Sequence, residues 1–66
     1  MNFIKLRTYT NSMSVAVVAN QITALVDHYV SGVARGTTVY LSGGNEIVVQ
    51  ESIRNILNKI EELKQS

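Results

Sequence analysis

The chain has no cysteine, no proline and no tryptophan, and a single histidine and a single phenylalanine among its 66 residues. Without cysteine it can form neither a disulfide nor a thiolate metal site, and a reducing compartment suits it, so the expected location is cytoplasmic. With His28 as the one imidazole, a histidine-based metal centre cannot be built within one copy, and no cofactor is expected. No apolar run approaches the roughly 18 residues that span a bilayer. The opening residues lack the ordered basic and apolar blocks of a secretion signal. Charge of either sign is scarce: six Lys and Arg against five Asp and Glu leave a net +1. Duplex nucleic acid is held by clustered Lys and Arg, so that class of partner is not expected, and neither is a membrane.

What the chain does have is apolar surface, 45% of its residues. Its length allows one domain. A domain of this size buries only about 60% of the surface that its unfolded chain exposes. Small folds make up the shortfall with disulfides, metals or association. The first two are excluded here, and a large apolar surface left on a monomer marks an interface. The expected state is therefore a homo-oligomer.

Four glycines, Gly32, Gly36, Gly43 and Gly44, divide the chain into three pieces. In the first, Phe3 to Thr8 alternates apolar Ile4 and Leu6 with Lys5 and Arg7, the period of a half-buried strand. Tyr9 to Ser12 is polar and turn-prone. Ser14 to Ala19 is rich in valine, which favours a second strand paired antiparallel with the first. The second piece, Asn20 to Val33, satisfies two periods. Ile22, Leu25, Val26, Tyr29 and Val30 recur at helical spacing behind a possible Asn20 cap, while Ile22, Ala24, Val26, His28 and Val30 recur at strand spacing. In the third piece, Thr37 to Leu41 and Glu46 to Gln50 read as strands joined through Ser42-Gly43-Gly44-Asn45. Ser52 caps a helix whose stripe is Ile53, Ile56, Leu57, Ile60 and Leu63. Glu51 and Lys64 suit the two ends of the helix dipole.

The words Phe3-Ile4-Lys5-Leu6, Val18-Ala19-Asn20-Gln21-Ile22, Thr38-Val39-Tyr40-Leu41-Ser42-Gly43-Gly44 and Ile47-Val48-Val49-Gln50-Glu51-Ser52 follow one another as in the small FlbD/SwrD-type flagellar and swarming-motility family. The chain resembles that family, and phage or plasmid proteins of similar layout, over most of its length. The likeness implies a curved β-meander closed by one C-terminal helix, with Ile22 opening a strand. It transfers no catalytic residue. The segment His28 to Gly36 is longer than in the family pattern and broken by glycine. The fold class expected is α+β: a small curved, mostly antiparallel sheet of four to five strands and one C-terminal amphipathic helix, in a single domain.

Few residues suggest chemistry. Asp27 and His28 are adjacent, so on a strand they face opposite sides and form no acid–base pair. His28, Tyr29 and Val30 are instead expected at a subunit interface. Ser31 to Thr37 reads as a connecting loop in which Arg35 offers a planar fork for phosphate or carboxylate, with the Thr37 hydroxyl beside it. It does not match a phosphate-binding loop, which needs a Lys-Ser/Thr pair and a following helix. Lys5, Arg7, Tyr9 and Tyr40 would give a basic and aromatic sheet surface of the kind that stacks bases. Glu61 and Glu62 lie about 100° apart on a helix end and are not held across a substrate. With no nucleophile–base pair in view, the expected function is that of a non-enzymatic accessory or regulatory protein that binds a partner as a homo-oligomer. The alternative is a phage or bacterial protein that sequesters a nucleotide or other small ligand in pockets between subunits, using Arg35, Thr37, Tyr40, Arg7 and Lys5.

Overall fold

Period-two alternation in the opening residues does what a half-buried strand requires. In the computed structural model, which describes residues 2–64, strand β1 (Phe3–Arg7) turns Ile4 and Leu6 inward and leaves Phe3, Lys5 and Arg7 exposed. Strand β2 (Ser14–Val18) pairs with it antiparallel, Ile4 opposite Val17 and Leu6 opposite Val15. The Thr8 N–H donating to the Met13 carbonyl at 2.9 Å closes the turn between them. A 3-10 turn, Ala19–Gln21, leads into β3 (Ile22–Val30), β4 (Val33–Leu41) and β5 (Glu46–Val49), and helix α1 (Ile53–Lys64) ends the described chain.

The fold is α+β, with five strands in two antiparallel sheets, β1-β2 and β3-β4-β5, and a C-terminal helix. One bridge, Thr8 to Val49, joins the sheets. Around it the Tyr9 N–H donates to the Val48 carbonyl at 2.9 Å and the Gln50 N–H to the Arg7 carbonyl at 2.8 Å. Side chains reinforce the seam. The Arg7 backbone N–H donates to the Glu51 carboxylate at 3.1 Å, and the Gln50 amide to the Ser12 hydroxyl at 2.8 Å.

The core draws on every layer: Ile4 and Leu6 of β1, Val17 of β2, Val39 of β4, Val49 of β5 and Ile56 of the helix are buried. The Asn55 N–H donates to the Ser52 hydroxyl at 3.1 Å, so Ser52 is the cap that its position in the sequence predicts. Ile53, Ile60 and Leu63 are half-buried beside Ile56. Leu57, expected in the same stripe, is exposed. It lies about 100° round the helix from Ile56, and the covered arc is filled by the other four. The close ion pair on this helix is Glu61 with Lys64, at 3.9 Å.

In the middle of the chain one open alternative is decided for the strand and one expectation is corrected. The helical alternative for Asn20–Val33 does not form: Asn20 lies in the 3-10 turn, and Ile22–Val30 is a strand. The connecting loop expected from Ser31 to Thr37 shrinks to Ser31 and Gly32, because β4 already begins at Val33. The remaining strand ends differ from expectation by one residue, at Arg7, Val18 and Val49.

Candidate functional site

Tyr29, Val30 and Val33 favour strands, and two residues, Ser31 and Gly32, separate Val30 from Val33. Both turn residues have positive φ, 52° and 80°, as a type I′ hairpin turn requires. The strands that it joins are long. β5 covers β4 only from Thr37 to Tyr40, so from His28 to Gly36 the β3–β4 hairpin continues as a two-stranded arm. The molecule measures 38 × 24 × 20 Å along its principal axes.

A bulge marks the root of the arm. Asp27 pairs with Thr37 and Tyr29 with Ala34, so His28 alone faces both Arg35 and Gly36. Gly36 has φ 86° and passes so close to β5 that a Cβ built on it would overlap the Val49 carbonyl oxygen. Beside this glycine the half-buried His28 ring meets the Tyr9 ring edge to face, centroids 5.0 Å apart. A second bulge lies at the other end of β3, where Thr23 is inserted between Ile22 and Ala24 and its hydroxyl donates to the Tyr40 carbonyl at 3.2 Å.

The arm carries apolar surface into solvent. Among the described residues eight large apolar side chains are exposed, and five of them, Val26, Tyr29, Val30, Val33 and Tyr40, belong to this hairpin, with Tyr29, Val30 and Val33 on the arm itself. Tyr29 is 62% exposed and Val33 51%. The interface trio expected from sequence, His28, Tyr29 and Val30, thus lies together on the arm. Val26 and Val33 were not singled out by sequence reasoning. The signal for Val33 was present in the Val30-Ser31-Gly32-Val33 hairpin pattern, which was read as the start of a loop.

The residues expected to hold a ligand are dispersed. Arg35 is exposed on the arm. Thr37 is buried and its hydroxyl donates to the Glu51 carbonyl at 2.7 Å, a tie between β4 and the approach to the helix. Tyr40 is exposed on β4 between Ala24 and Glu46. The Arg7 guanidinium donates to the Ser12 carbonyl at 2.6 Å. Lys5 shares a shallow cleft of about 340 Å³ with Lys59 and Glu62 of the helix. Two other clefts, of about 430 and 310 Å³, are lined by Asn20 with Ile60 and by Val17 with Ile47 among their walls, and neither includes any of these five residues. Among the described residues no three His, Asp or Glu side chains gather as metal ligands do, and no helix is long and apolar enough to cross a membrane. No family model, curated protein or solved structure matches the chain.

Proposed function

We propose that the chain is a non-enzymatic binding protein that works as a homo-oligomer, with the β3–β4 arm as the element through which copies associate. The observation that carries this reading is the exposure of Tyr29, Val30 and Val33 on a two-stranded extension outside the core, with Val26 exposed on β3 near its root. An isolated two-stranded hairpin is marginally stable in water, and this one is an expensive structure to maintain unless something covers it. The likeness to small motility proteins supports an accessory or regulatory role in the cytoplasm, and the arm coincides with the segment by which this chain departs from their layout. The dispersal of Lys5, Arg7, Arg35, Thr37 and Tyr40 gives the ligand-sequestering alternative no comparable support.

Association links stability to concentration. The melting temperature of the unmodified chain is expected to rise with protein concentration over the micromolar range. Val30→Glu combined with Val33→Lys replaces the exposed apolar pair by opposite charges across the strands, which keeps the hairpin and removes the surface. That variant is expected to melt at a temperature independent of concentration. An unmodified chain whose melting temperature does not move on dilution would refute the reading.

A further inference from the structure

Resting on the reading of the chain as a homo-oligomer, we propose that two copies join edge to edge through β3, antiparallel about a twofold axis at Val26. β3 is the outer strand of its sheet, with β4 on one side and no strand on the other among the described residues. It is nine residues long and none of them is fully buried. Natural edges are blunted by lysine, proline, short length or a bulge, and the bulge of this strand is confined to its start at Thr23, leaving Ala24 to Val30 regular. This one has neither lysine nor proline, and its one formal charge is Asp27. Val30 and Val33 flank a two-residue turn and therefore hydrogen-bond to each other. From there the alternation of an antiparallel ladder directs the backbone N–H and C=O of Tyr29, Asp27 and Leu25 away from β4. Another strand satisfies such a row, and a second copy brings an identical one.

The Val26 register is favoured over its two neighbours. A twofold axis perpendicular to the sheet keeps each face continuous, so residues of like parity meet. Centring on Asp27 sets two carboxylates directly opposite each other, which is destabilising. Centring on Leu25 carries Tyr29 and Val30 past the partner's Ile22 and onto its 3-10 turn, and leaves them unpaired. Centring on Val26 pairs Ala24 to His28 with the same stretch of the second copy and brings Tyr29 and Val30 up to the partner's bulge at Thr23. Val26 then meets its own copy, and Leu25 meets Asp27. The small Ala24 falls opposite His28, where the ring needs room. Of the three exposed large apolar side chains of the strand, Val26 gains a cross-strand neighbour, and Tyr29 and Val30 lie beside the partner's bulge.

The absence of cysteine makes a direct test possible. A Val26→Cys variant carries one thiol, and residues facing each other in a non-hydrogen-bonded strand pair lie close enough for a disulfide. Val26 is half exposed at 48%, and Asn58 is exposed on the helix, so neither substitution empties the core. Mild oxidation at micromolar protein is expected to convert most of the Val26→Cys variant to a covalent dimer while Asn58→Cys remains largely single over the same time. If light scattering finds an assembly but Val26→Cys links no faster than Asn58→Cys, the edge pairing is overturned and the homo-oligomer stands. A single-subunit mass for both the unmodified chain and the variant overturns both.

Discussion

Gly36 shows how one residue sets the geometry of the arm. Its positive φ lets β4 take an extra residue opposite His28, and its missing side chain lets β4 pass the Val49 carbonyl. A left-handed backbone costs a residue with a Cβ roughly 1–2 kcal/mol, and here the Cβ also meets backbone that cannot swing away. Gly36→Ala is therefore expected to destabilise the fold by more than about 2 kcal/mol, read as a fall in the urea midpoint. A midpoint equal to that of the unmodified chain would mean that the bulge is not needed. In the sequence this glycine, with Arg35 and Thr37, reads as loop punctuation. A bulge inside a strand has the same composition as a loop, and what separates them is the partner across the ladder, which lies in β3. Thr37 was legible as a polar residue near Arg35. Its burial against the Glu51 carbonyl was not, because that contact spans the β5 hairpin.

At the scale of elements, the helix and its cap were the most legible. Ser52 precedes an apolar residue and the spacing of three and four continues to Leu63, so start, end and inward face can be read in one line. Ser52→Ala is expected to lower stability by about 1 kcal/mol, measured by urea unfolding followed by circular dichroism. Ile56→Asp is expected to unfold the chain, because the side chain is fully buried between the two sheets and the helix and a carboxylate there has no partner. A soluble Ile56→Asp variant with native circular dichroism would overturn the packing of helix on sheet. Leu57 was misplaced because five apolar residues span more of the helix than the sheet covers. β3 was ambiguous for a different reason. Its apolar residues satisfy both periods, and the choice is settled outside the strand, by the Ser31-Gly32 turn that returns the chain as β4. The arm was legible in part. His28, Tyr29 and Val30 stand out as apolar and aromatic residues without a core to enter, whereas Val33 was hidden by the reading of its segment as a loop.

For the whole molecule, the six buried apolar side chains form one small core that all the layers share, and the arm projects beyond it. A chain with no disulfide and no intrachain histidine metal site has packing as its means of stability. Among the described residues five of the eight exposed large apolar side chains lie on one hairpin. That distribution is what an interface between copies looks like when one copy is seen alone. Sedimentation equilibrium at micromolar concentration measures the consequence directly. The account predicts a mass that is a multiple of the single chain and falls towards it on dilution. A mass equal to one chain throughout that range, with the fold intact, would contradict it.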